Sequence, residues 1–169
     1  MRTWQTIRTA ALSRHTHARR YAALVLSGGY EEAGDLGRFR VETGDVIFHD
    51  LYEAHLDRFP DTGAEVLNLP LEADCSCAPG PARVADPDLI MSVAERSPRD
   101  AVTLLLSMAT NWQPQPMDWR DQLASELIMN PSLQLTPWAE ENGLRPWTVS
   151  RGFAQVFNVS PEAFRARAR

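Results

Sequence analysis

The sequence predicts an α+β chain, a small antiparallel β-barrel followed by an all-α segment with one helix-turn-helix. Three observations predict it. Short β-prone runs broken by Gly, Asp and Pro fill the first half, with no helix of credible length before Asp86. Beyond that point the pairs Asp86-Pro87, Ser97-Pro98, Thr136-Pro137 and Ser160-Pro161 each set a capping side chain before a proline, and so mark helix starts. Finally, a short helix ending in Asn142-Gly143 is followed at once by another from Pro146, the spacing of a tight turn between crossing helices.

In chain order, Tyr21 to Ser27 is a β-prone run that Gly28-Gly29 is expected to turn. Gly37 to Glu42 alternates, Val46 to Phe48 is buried, and Glu65 to Leu71 alternates again, so residues 1–73 form the barrel. The turn-rich stretch Cys75-Ser76-Cys77-Ala78-Pro79-Gly80-Pro81 bounds it. Two cysteines one residue apart make a poor disulfide, and an exposed loop is expected there. Residues 84–112 carry two helices, Pro87 to Arg96 and Pro98 to Asn111, whose apolar faces suit packing on the barrel or a homodimer seam. Pro114 and Pro116 then favour an extended linker. Residues 118–169 form the helix-turn-helix subdomain, opened by a helix that Asp118 caps and Asn130-Pro131 ends.

Composition narrows the function classes. With 169 residues and 44% hydrophobic content the chain can bury one core or two small ones. Its apolar runs are far below the roughly 18 residues of a membrane span, and the N-terminus lacks a secretion signal, which predicts a cytoplasmic protein without membrane contact. A net charge of -5 speaks against bulk electrostatic adhesion to nucleic acid. Between Arg145 and Arg169, however, five arginines face the single acid Glu162, the asymmetry of a nucleic-acid-facing tail.

Within that tail, Gly143 suits the left-handed conformation of the turn, and Ala139 is small where the helices meet. Val149, Phe153, Val156 and Phe157 share the buried face of the second helix, leaving Trp147, Arg151, Ala154 and Gln155 outward with Thr148 and Ser150 on the flanks. An outward Trp and Arg one turn apart suit major-groove reading of double-stranded DNA. Arg145, Arg165, Arg167 and Arg169 are placed for phosphate contacts. The alternative reading packs Trp147 into a small helical bundle.

The run from Leu133 to Arg169 resembles the first helix-turn-helix of AraC/XylS regulators, through the alanine and glycine just named, Ser150-Arg151-x-Phe153 and the closing Ser160-Pro161-x-x-Phe164-Arg165. The resemblance implies base contacts at Trp147, Ser150 and Arg151, with Thr148 adjacent. It also implies a second helix-turn-helix, which this chain lacks, so the subdomain looks truncated. Gly152 departs from the pattern, since a mid-helix glycine costs roughly 1 kcal/mol relative to alanine.

All four histidines fall in the β-rich part. His15 and His17 alternate on a strand and project from one face, while His55 follows Gly44-Asp45 and the buried Val46-Ile47-Phe48. This resembles the cupin pattern, a sensor fold that commonly precedes the AraC/XylS helix-turn-helix. The resemblance implies a metal site, and His15, His17 and His55 are its candidate ligands for zinc or another divalent transition ion; Tyr21 stands near the place of the family's carboxylate. A pocket for a small-molecule or ion effector would draw on His15, His17, Tyr21, His49 and His55, with Arg40 and Tyr52 as further candidates. The expected function is a ligand-responsive, DNA-binding transcription regulator without catalytic activity. A metal-dependent cupin enzyme, or a sensor and dimerisation fragment lacking DNA affinity of its own, are the alternatives.

Overall fold

A computed structural model describes residues 4–8, 10–112 and 114–167. The chain divides into two compact units, Met1–Glu32 with Phe39–Pro114, and Ala33–Arg38 with Gln115–Arg169.

Among the described residues there are nine strands and six helices, and the paired strands run antiparallel. The strands are β1 (Trp4–Ile7), β2 (Ala11–Thr16), β3 (Tyr21–Gly34), β4 (Gly37–Glu42), β5 (Asp45–His49), β6 (Ala54–Arg58), β7 (Ala64–Pro70), β8 (Gly80–Arg83) and β9 (Thr110–Asn111). Their order is β1-β7-β3-β5-β8-β9, with β4 on β3 and β6 between β2 and β3.

In the first unit β3, β5 and β7 are buried on both faces. Ala22, Leu24, Val46, Phe48, Leu67 and Leu69 pack against Ile90, Ala94, Ala101 and Leu105 of α1 (Pro87–Ala94) and α2 (Pro98–Met108). The intervening residues Tyr21, Ala23, Val66 and Asn68 line a cavity on the opposite face. Val66 to Leu69 is therefore covered on both faces, and the expected one-sided alternation does not occur there, although Pro70 is exposed.

Gly28-Gly29 do not turn the chain: β3 runs straight through them, with a register shift between Val25 and Ser27. A Cβ on Gly28 would lie 2.4 Å from the Gly63 carbonyl oxygen, and one on Gly29 would lie 2.4 Å from that of Val41. The pair marks close strand approach, which leaves the reversal to Asp35-Leu36 between β3 and β4. The cysteine stretch is a loop with Ser76, Ala78 and Pro79 exposed, but its two cysteines turn inward. Cys75 and Cys77 are half-buried against the core, and Arg20 donates to both their carbonyls at 2.8 and 2.9 Å.

The helix starts follow local capping chemistry. Asp86 accepts from the Leu89 amide, Ser97 from Asp100 and Ser160 from Ala163. In the second unit Asp118 and Asp121 form a capping box at α3 (Trp119–Met129), and Arg38 bonds both carboxylates at 2.7 to 2.9 Å. Helix α4 (Leu135–Glu141) begins earlier than Thr136-Pro137 suggests: Gln134 is its cap residue and Thr136 lies inside the first turn. It ends in a Schellman motif. Gly143, at φ 66°, donates to the Glu140 carbonyl and Leu144 to that of Ala139. Helices α5 (Pro146–Phe157) and α6 (Pro161–Arg167) complete the unit around the Phe153, Phe157 and Phe164 rings, whose centroids lie 4.4 to 5.2 Å apart.

No helix among the described residues is long and apolar enough to cross a membrane.

Candidate functional site

The strand register brings together histidines far apart in sequence. His15 on β2 lies opposite His55 on β6, and Tyr21 on β3 lies opposite His49 on β5. His17 follows directly after β2, its ring 4.9 Å from that of His15 and 5.5 Å from that of His55. Tyr21 stacks on His49 at 4.5 Å, and His49 sits 4.6 Å from His55. The five predicted barrel residues therefore line one cavity, of about 90 Å³, with Tyr30, Glu32, Asp57 and Asn68 among its other walls. Arg40 and Tyr52 do not line it; both are exposed, and Tyr52 holds a left-handed turn at φ 58°.

Protonation states follow from burial. His15 Nδ1 lies 2.8 Å from the Ser13 carbonyl oxygen, which only accepts, so Nδ1 is the donor there and Nε2 is the nitrogen free to act as a ligand. Burial, helped by the charges of His49, His15, His17 and Arg14, pushes His55 down to about 2, so it is a neutral imidazole. Burial lowers His17 as well, with His15 and His49 adding to it and Glu53 opposing. His15, His17 and His55 each offer a ligand atom within 4.8 Å of the others, and the fixed tautomer of His15 suits them to a divalent metal. Burial lifts the Tyr21 phenol well above its ordinary range, with Glu32, Asp57 and Glu53 adding to it; its Oη lies 3.4 Å from His55 Nε2. Tyr21 is a neutral neighbour of that set.

Three acidic or phenolic cavity groups, Tyr30, Glu32 and Asp57, and the buried Glu53 beside His49 and His55 were missed from sequence. Burial raises Asp57 to about 7 and lifts Glu32 well above the carboxylate range, the latter with Asp57 and Glu53 adding to it. A legible signal existed: Glu53, His55 and Asp57 alternate, so they share one face of a strand.

On α5, Val149, Gly152, Phe153, Val156 and Phe157 are buried, while Trp147 is 59% exposed and Ser150, Arg151 and Gln155 are also exposed. Trp147, Thr148, Arg151, Gly152 and Gln155 border a cleft of about 270 Å³ with Trp119 and Arg120 of α3. Gly152 has a packing reason: a Cβ there would stand 2.8 Å from the Trp119 ring. Arg145 and Arg167 are exposed, whereas Arg165 donates to the Pro131 and Leu133 carbonyls at 3.3 and 2.9 Å. Arg169 lies outside the described residues.

No family model matches the chain, and no curated protein matches it. Among solved structures it is similar to the AraC-like transcriptional activator CuxR, at 14% identity over 89% of this chain and 65% of that one, with a TM-score of 0.38. A variant of the Bacillus subtilis oxalate decarboxylase matches at 14% identity over 87% of this chain and 29% of its own, TM-score 0.36. KdgF from Halomonas sp. matches at 24% identity over 40% of this chain and 65% of its own, TM-score 0.31. This chain spans less than two thirds of the length of each of the three. The expectation of a protein without catalytic activity is corrected by these matches, because oxalate decarboxylases, which are enzymes, stand among the similar structures.

Proposed function

We propose that the chain is a ligand-responsive DNA-binding regulator of the AraC/XylS type, with α4 and α5 as its helix-turn-helix. One observation carries this reading: α5 buries Val149, Gly152, Phe153, Val156 and Phe157 while leaving Trp147 and Arg151 exposed. The pairing, an exposed indole with an exposed guanidinium on one helix, is what supports base-edge reading. Arg151 supplies the bidentate donor that guanine accepts, Trp147 an apolar face for thymine methyls or sugar, and Thr148 and Ser150 flanking hydroxyls. The exposed Arg145 at the helix start suits a phosphate. In the barrel, His15, His17 and His55 would hold a divalent ion such as zinc, or the polar group of an effector, with Tyr21 and His49 as walls.

Fluorescence anisotropy with DNA from upstream of the native gene tests the reading. Binding is expected to be salt-dependent, and Arg151→Ala and Trp147→Ala are each expected to weaken it about 5- to 150-fold, the equivalent of about 1–3 kcal/mol. Salt-sensitive binding that neither substitution alters would overturn the base-reading role.

A second reading, a metal-dependent enzyme, is favoured by the cavity itself. Asp57, at about 7, is a buried acid suited to proton transfer beside three imidazoles.

A further inference from the structure

Behind the three imidazoles lies a second group of donors with an unusual charge balance. Glu32 and Glu53 are 2% and 8% exposed, and carboxyl groups buried this deeply ionise only where a cation offsets the charge. Among the described residues their ion-pair partners are imidazoles alone. His49 Nε2 lies 3.7 Å from Glu32, His49 Nδ1 lies 3.4 Å from Glu53, and His55 Nδ1 lies 4.0 Å from Glu53. These separations exceed the 2.7–3.2 Å of an ordinary N–H···O bond. Both His49 Nε2 and His55 Nδ1 are fully buried without a hydrogen-bond partner, and both are aimed into this group.

One donor atom from each of the four residues, a single nitrogen in the case of His49, lies within 4.8 Å of the others, close enough for small side-chain movements to bring all four onto one ion. Ligand atoms about 2.0–2.1 Å from a tetrahedral zinc ion are roughly 3.3–3.4 Å from each other. We propose that Glu32, His49, Glu53 and His55 form an inner site for a divalent first-row transition ion, distinct from the His15, His17 and His55 cluster and sharing His55 with it.

The chemistry of the set names the cation. Two imidazoles select against calcium and magnesium, two carboxylates select against copper(I), and the mixture suits zinc, cobalt, iron(II) or manganese. Two negative charges meet the ion's two positive ones, so the filled site is neutral. The two nitrogens of His55 face different neighbours, Nε2 towards Tyr21 and Nδ1 towards Glu53, which lets one ring serve both sides. Glu53 is further held by the Asp50 amide at 3.2 Å, which orients its second oxygen.

The experiment removes the outer ligands first. In the full chain carrying His15→Ala and His17→Ala, Zn²⁺ titration followed by calorimetry, with elemental analysis after desalting, is expected to retain one equivalent. Co²⁺ is expected to give a visible absorption band in the same variant. Adding Glu32→Gln or Glu53→Gln is expected to abolish both. The thermal midpoint separates ligation from a folding role: without metal, Glu32→Gln is expected to melt near its parent, since burial already holds Glu32 well above the carboxylate range, while Zn²⁺ no longer raises its midpoint. No zinc bound by the doubly substituted chain, or an equivalent that survives both glutamine substitutions, would overturn the inner site whatever the outer cluster does.

Discussion

The two units bury opposite kinds of chemistry. The second closes on three phenylalanine rings and, among its described residues, buries charge only as the closely paired Arg38 and Asp121, whereas the first keeps imidazoles and carboxylates in a cavity and places its apolar core on the other face of the same strands. Removing an interior side chain should therefore destabilise the second unit and can strengthen the first.

The largest effect is expected from Phe153→Ala, which empties the centre of the aromatic cluster and should cost about 3–5 kcal/mol in urea unfolding of the second unit. A result below about 1 kcal/mol would break the contrast. Asp57→Asn should act in the opposite direction. A carboxyl raised to about 7 by burial contributes stability below its unfolded value near 3.8 and loses it as the pH rises through 7. The asparagine variant should thus match the natural chain near pH 4 and exceed it at pH 8 by on the order of a few kcal/mol, measured by native-state hydrogen exchange in the barrel.

Gly152→Val sharpens the comparison at the edge of the aromatic unit. Helix propensity alone favours valine over glycine, yet its side chain would enter the Trp119 ring, so a loss of about 1–3 kcal/mol is expected in thermal or urea melts. Asp118→Asn is the smallest effect, below about 1 kcal/mol at neutral pH, because asparagine still caps the helix and only the charge facing Arg38 and Arg120 is lost. Burial alone would raise Asp118, but the bonds from Arg38 and the Arg120 amide hold it below the usual carboxylate range. Its stabilisation is present above about 3.8 and disappears as the pH falls further, so the substitution should flatten the acid side of the unfolding profile.

The elements legible in sequence were those whose chemistry is local. Caps at Asp86, Ser97, Asp118 and Ser160 act within three residues, and the Gly143 turn needs only its own φ. Thr136 misled because a capping side chain before proline also fits inside the first turn of a helix already begun at Leu135. The barrel was harder, since its register is long-range. Gly28-Gly29 looked like a turn because nothing local reveals that the Gly63 and Val41 carbonyls approach there. His15, His17 and His55 could be grouped through the resemblance to the cupin pattern, but Glu32, Glu53 and Asp57 had no such guide, because alternating polar residues normally point outward. Only closure of the strands around a cavity turns that face inward.

The exposed indole of Trp147 also makes this protein its own spectroscopic reporter. Trp138 is enclosed and donates to Glu126 at 2.8 Å, and Trp119 lies half-buried against Gly152, so among the tryptophans of the second unit Trp147 is the one open to aqueous quenchers. In a Trp4→Phe background, which removes the other strongly exposed indole, iodide would quench Trp147 first, and any macromolecule seated on α5 would shield it. Occupancy of that helix can therefore be followed by emission alone, without a label.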